Sequence, residues 1–159
     1  FFSKLFSKDE FEEFGINLSV KQVNLSHNSK KGTLRGMHYQ DPQPDAKLIT
    51  CISGSILDVA LDIRKNSDTF LQWHAVVLDS RKFNSFLIPK GFAHGFITLE
   101  NDVNILYLHD QEYLPLNQSA INPFDPSINI EWKQEVTSIS DRDKECKFVN
   151  DGFDGLIIE

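Results

Sequence analysis

Over residues 18–26 the side chains alternate, with Val20, Gln22, Asn24 and Ser26 on one face and Ser19, Lys21, Val23 and Leu25 on the other. A period of two marks an extended strand, because successive Cβ atoms point to opposite sides of the pleat. NSKKG at 28–32 forms a turn, 33–40 reads extended again, and DPQPD at 41–45 is a second turn. Further strands are predicted over 47–53, 56–64, 70–78, 85–89, 96–99 and 103–109, separated by 54–55, 65–68, 79–82, the PKGFAHG loop and 100–102. In the 56–64 run Leu57, Val59, Leu61 and Ile63 make one wholly aliphatic face, while Ile56, Asp58, Ala60, Asp62 and Arg64 make the other. That predicts a core side and a wet or working side. Ahead of the strands, Ser7 and Glu10 have capping-box spacing, Phe11 and Phe14 form a narrow apolar stripe and Gly15 closes one short helix. After Tyr113 the chain turns irregular at Pro115, Pro123 and Pro126, with a short strand expected at 128–132 and one helical turn at 141–144 capped by Ser140. The fold class expected is all-β, a sandwich or barrel with short flanking helices. One domain over 1–159 is expected, its irregular tail packed onto the barrel.

The composition fits that expectation and narrows the function. The chain has 159 residues, 40% of them hydrophobic and 25% charged, enough to bury about 70% of the extended chain's surface without staples. Sixteen Lys plus Arg against 23 Asp plus Glu give a net charge of −7. Such a field repels polyanions, so nucleic-acid binding is disfavoured. A local Arg and Lys cluster inside a cleft can still hold a small anion, because at short range it outweighs a diffuse surface charge. Cys51 and Cys146 have no CxxC or CxxH spacing, which suits a reducing cytoplasm and signals no disulfide framework. Among His27, His38, His74, His94 and His109 there is no HxH or HxxxH pair, so no metal is expected. No apolar run approaches the ~18 residues of a membrane span. The start FFSKLF is too short and too soon charged for a signal peptide.

Four places could carry chemistry, and each has a plain structural alternative. Arg35 and His38 are three apart, which on a flat strand sets them on opposite faces, but a bulge at Gly36 would turn both into one cavity. The alternative is an edge strand with solvated polar groups. His94, in the nearly apolar PKGFAHGF run, suits either a ligand contact or a hydrogen-bonded core histidine. Tyr107 shares a mostly apolar stripe with Val103, Ile105 and His109, so it is either an acid or a structural tyrosine. Asp143 lies in SDRDKE, where an exposed helical turn is the bland explanation.

Six ordered blocks change that balance: QVNLSHNSKKGTLRGMHYQ, LDVALDIRKNSDTF, IPKGFAHGF, Tyr107 with Tyr113, NPFDPSINIEW and ISDRD. In order and spacing the sequence resembles the dTDP-4-dehydrorhamnose 3,5-epimerase family over nearly its whole length. The resemblance implies a cupin-type jelly roll and a nucleotide-linked 4-keto-6-deoxy sugar as substrate, with no metal or redox cofactor. It implies His38 as general base, Asp143 as the carboxylate that orients it, Lys47 as the positive donor to the developing oxyanion and Tyr107 as the acid on the opposite face. It further implies Arg35 and Arg142 as diphosphate clamps, Gln22, Asn24 and His94 as substrate contacts, and Tyr113 as the ring stacked on the base. A homodimer is implied too, with an N-terminal arm carrying Phe2 into the neighbouring site. The alternatives are a relative inverting C3 or C5 alone, a ketoisomerase on another nucleotide-linked sugar, or a non-catalytic sugar-binding cupin. The sequence departs from the family pattern at Lys4, where a Glu stands, at Gln118, again a Glu, and at 123–126. The family arm begins before Phe1, so the natural N-terminus is expected to lie upstream. Lys4 is expected to alter the accepted base or sugar, or to reach the diphosphate.

Overall fold

The computed structural model describes residues 2–149 and 152–158. A first sheet of four strands runs in the order β1 (Gln22–Asn28), β8 (Val103–His109), β3 (Lys47–Ser53) and β6 (Ser85–Ile88). The second contains β10 (Ser138–Ile139), β2 (Thr33–Gln40), β7 (Phe92–Thr98), β4 (Ser55–Asp62) and β5 (Trp73–Asp79), with β9 (Gln118–Ala120) also paired to β2. All pairings are antiparallel except that of β10 with β2. Two sheets face to face, with the short helices α1 (Lys8–Glu13) and α2 (Asp141–Lys144) and a 3-10 turn at Pro115–Asn117 among the described residues, make the expected all-β jelly roll. No helix among the described residues is long and apolar enough to cross a membrane.

Three apolar clusters hold the layers together. Between the sheets lie Ile49, Ile56, Ala60, Leu78, Phe96 and Ile105, with Tyr107 packed against them. The outer face of the second sheet, with Leu57, Val59, Leu61 and Ile63, is covered by Ile121, Ile128, Trp132, Val149 and Leu156 of the irregular tail. Leu18, Leu48 and Leu108 form the third cluster, covered by Phe6, Phe11 and Val20. Of the two readings of the second β4 face, wet or working, the wet one fails, since every residue of that strand is buried. Its aliphatic face meets the tail and its Asp58 face meets the interior.

Several boundaries move for local reasons. β5 begins at Trp73 because Leu71 takes a left-handed φ of 62° and the Asp62 carboxylate gathers Arg64, Ser67 and Thr69 into a loop. No strand forms over 128–132. Asp125 accepts the N–H groups of Ser127 and Val149, and Asn129 and Lys133 both have positive φ, so the segment turns instead. Its Ile128 and Trp132 still reach the core. Ser7 occupies the cap position of α1 without a side-chain cap bond. The helix entrance is fixed instead by Phe6 against Phe11, with ring centroids 5.2 Å apart, in the manner of a hydrophobic staple. Phe14 stays exposed.

Candidate active site

Between the sheets opens a cleft of about 630 Å³. Its second-sheet wall depends on an irregularity in β2. Arg35 pairs with Phe96 and His38 with His94, so three steps along β2 match two along β7. That extra residue is the bulge anticipated at Gly36, and it brings both Arg35 and His38 onto the cleft. Gly36 has φ +122°, and a Cβ there would come within 2.5 Å of Gly95 Cα and 2.8 Å of the His94 carbonyl. Only glycine lets the two backbones approach this closely.

On the far edge of β2, α2 carries Asp143, whose N–H donates to Ser140 Oγ at 3.1 Å. The Asp143 carboxylate closes on His38 Nε2 at 2.6 Å and accepts the Gly36 N–H at 3.3 Å. Burial pushes the Asp143 carboxyl up, but the hydrogen bond and charge of His38, with the Gly36 N–H and Ser140, outweigh it and hold the group below its ordinary value. An ionised carboxylate can only accept. His38 Nε2 therefore carries a proton, and Nδ1 presents the lone pair.

The opposite wall comes from the first sheet. Tyr107 on β8 has its hydroxyl 3.2 Å from Ser26 Oγ, its ring stacked on His109 at 6.0 Å and the edge of His94 at 6.3 Å. Burial raises the Tyr107 pKa, helped by the Asp58 charge and opposed by Ser26 and Arg35, so the phenol stays protonated. Lys47 opens β3, is 6% exposed, and has Nζ 3.4 Å from Asp45 Oδ2. At the floor, His94 Nε2 lies 2.6 Å from Asp58 Oδ1. Asp58 Oδ2 is buried with no hydrogen-bond partner among the described residues. A half-buried histidine backed by a buried carboxylate on one wall, with a protonated phenol and an ammonium on the other, can move protons to and from carbon beside a polarised carbonyl.

The family model for dTDP-4-dehydrorhamnose 3,5-epimerase matches residues 1–151. This chain belongs to that family. Family relatives include a dTDP-4-dehydrorhamnose 3,5-epimerase from Methanothermobacter thermautotrophicus, 39% identical over 92% of this chain and 80% of its own length. A dTDP-4-dehydro-6-deoxyglucose 3-epimerase from Streptomyces bikiniensis is 35% identical over 84% of this chain and 68% of its own. The crystal structure of dTDP-6-deoxy-D-glucose-3,5-epimerase from Legionella pneumophila, in complex with dTDP-4-keto-L-rhamnose, matches with a TM-score of 0.93 at 37% identity, over 99% of this chain and 86% of that one. These family members are carbohydrate epimerases on a cupin fold, the fold seen here.

Against this family frame, most residues singled out in the sequence meet at one place. Arg35 is aimed by a bond from its Nε to Asn28 Oδ1 at 2.9 Å, and Arg142 on α2 lines the same wall. Asn24, Tyr113 and Gln118 line the cleft as well, and the Tyr113 hydroxyl donates to Gln118 at 2.8 Å. Gln22 does not line it, but accepts the Tyr113 N–H at 2.8 Å and donates to Asn24 at 2.9 Å. Phe2 is 95% exposed and lies outside the cleft of its own chain. Lys4 pairs with Glu10 of α1 at 2.5 Å, not with a cleft residue. Sequence reasoning left Asp58 on a wet or working face without a role of its own, and missed the contact of Asp45 with His109 at 2.9 Å. In the sequence Asp45 belongs to the DPQPD turn, and His109 is placed on the Tyr107 stripe and among the histidines without metal-ligand spacing, with no partner assigned to either. The one usable signal was that an aspartate two residues before a strand lysine shares its end of the strand.

Proposed function

We propose that this chain is a 3,5-epimerase converting dTDP-4-dehydro-6-deoxy-D-glucose to dTDP-4-dehydro-L-rhamnose. The observation that carries the reading is that the His38–Asp143 pair and Tyr107 stand on walls from different sheets across one cleft. Inversion at carbon needs a proton taken from one face and returned to the other, and this arrangement supplies both partners. His38 Nδ1 removes the proton at C3 or C5. The C–H electron pair becomes the enolate, with the negative charge on the C4 oxygen, where the Lys47 ammonium stabilises it. The enolate then collapses and takes the Tyr107 proton on the far face. His38 leaves protonated and Tyr107 as phenolate, and exchange with solvent resets both.

Arg35 and Arg142 grip the diphosphate with guanidinium forks suited to phosphate oxygens. Asn24 and His94 hold the sugar, Gln22 acts through its bonds to Asn24 and the Tyr113 N–H, and Tyr113, with Gln118 on its hydroxyl, stacks on the base. The working unit is a cytoplasmic homodimer in which the exposed Phe2 arm enters the neighbouring cleft. Asp45, His109 and Asp58 have no step of their own in this scheme.

The test is product configuration. Incubation with dTDP-4-dehydro-6-deoxy-D-glucose should give the L-rhamno product by NMR. A product inverted only at C3 would make the chain a 3-epimerase like the Streptomyces relative, and a ketone moved from C4 would make it an isomerase. Tyr107→Phe should uncouple the two half-steps. Solvent exchange at C3 should persist within a few-fold while net inversion falls by about 100-fold. A parallel fall of both would show that Tyr107 positions the sugar instead.

A further inference from the structure

The first-sheet wall contains a polar chain whose inner end, Asp45 and His109, the scheme above leaves unused. Asp45 is buried, yet its carboxyl sits at a pKa of about 2: burial pushes it up, and the His109 hydrogen bond and the Lys47 charge more than offset that. As a carboxylate it only accepts, so His109 Nδ1–H donates to Asp45 Oδ2 at 2.9 Å. His109 Nε2 is then the acceptor for Asn24 Nδ2 at 3.4 Å. Asn24 Oδ1 accepts from Gln22 Nε2 at 2.9 Å, and Gln22 Oε1 accepts from the Tyr113 N–H at 2.8 Å. Every donor from Tyr113 onward points toward Asp45. Lys47 contacts the same Oδ2 atom, but at 3.4 Å, longer than the ~2.8 Å of a well-made charge-assisted bond. His109 holds the short bond and Lys47 the long one.

We infer that His109 is a positioning residue, engaging Asp45 so that Lys47 is held loosely with its ammonium protons free for the cleft, while its ring backs Tyr107. A lone carboxylate beside an ammonium closes to a tight ion pair, because nothing else satisfies its lone pairs. Without His109, Asp45 draws Lys47 down and away from the position of a substrate carbonyl. Asn24 and Gln22 extend this control to Tyr113, so the base end and the carbonyl end of the cleft share one hydrogen-bonded wall. The consequence for catalysis rests on the epimerase reading, but the link between His109 and Lys47 does not.

The test therefore reads both. His109→Phe keeps a ring against Tyr107 and deletes both hydrogen bonds, whereas His109→Gln can still donate to Asp45 and accept from Asn24. In protein labelled with ¹³C and ¹⁵N at lysine, the Lys47 Nζ and Cε signals should move in His109→Phe and return in His109→Gln. With the dTDP 4-keto sugar, kcat should fall about tenfold in His109→Phe with KM within about twofold, and recover in His109→Gln. Adding His109→Phe to Asp45→Asn should cost less than about twofold more, since His109 acts through Asp45. If His109→Phe does not fold, His109→Asn, too short to span both partners, takes its place with the same expectations. An unmoved Lys47 signal, a loss confined to KM, or full additivity with Asp45→Asn would overturn the inference. An enzyme that turns over no dTDP 4-keto sugar would overturn the epimerase reading alone, and the Lys47 signal would still decide the role of His109.

Discussion

Replacing His38 with alanine will lower solvent exchange at both C3 and C5 by about 10²–10⁴-fold, the range a general base contributes. The expectation follows from how the cleft's other imidazoles are committed. His109 spends one ring nitrogen on Asp45 and the other on Asn24. His94 is bound to Asp58 and lies edge-on to Tyr107 at the floor. Only His38 combines an oriented carboxylate partner with a free lone pair and a side chain 26% exposed to the cleft. Because Asp143 sets the tautomer and supports the imidazolium, Asp143→Asn will lower the rate less completely than loss of the ring. Proton NMR of a dTDP 4-keto sugar in deuterated water measures both centres at once. Exchange near the native rate in His38→Ala would remove the residue from the role of base.

Lys47→Met will cost about 10²–10³-fold in kcat, the usual effect of deleting one oxyanion donor. Methionine keeps the unbranched stem and roughly the volume, so packing at the start of β3 is preserved. What disappears is the only side-chain ammonium lining the cleft among the described residues. The enolate's charge on the C4 oxygen would then face a protein wall without a cation. Affinity for dTDP should stay within about twofold if, as proposed, Arg35 and Arg142 on the other wall grip the diphosphate. Kinetics on the keto sugar, with dTDP titration by calorimetry, separate the two effects. A loss appearing in dTDP affinity with kcat intact would make Lys47 a phosphate ligand.

The parts of the fold visible in the sequence are those set by local chemistry. Alternation placed β1, β3, β4 and β8 to within a few residues, and the Ser140 cap placed α2. Gly36 signalled a bulge because a glycine inside a strand is rarely there for packing. What it could not signal was its partner, since the reason for Gly36 is Gly95, 59 residues away on β7. The PKGFAHG run looked like a loop because Pro89 and two glycines dominate it, yet β7 begins at Phe92 and so carries His94 inside the sheet. Whether the Asp58 face is wet or working is open in the sequence because alternation cannot distinguish water from a second buried layer. The first sheet supplies that layer, while the tail covers the opposite, aliphatic face. Asp143, the partner of His38 across 105 residues, was reachable only through family resemblance. The pairing of Asp45 with His109 is out of reach of the sequence, because it depends on the register of β3 with β8, which sets Lys47 opposite His109.

The most direct measurement is the position of deuterium in the product formed from dTDP-4-dehydro-6-deoxy-D-glucose in deuterated water. Abstraction by His38 and return from Tyr107 across the cleft predict solvent deuterium at C3 and at C5, both centres inverted and the ketone still at C4. Inverted product that retains protium at both carbons, or a ketone displaced from C4, would contradict enolate chemistry between these two walls.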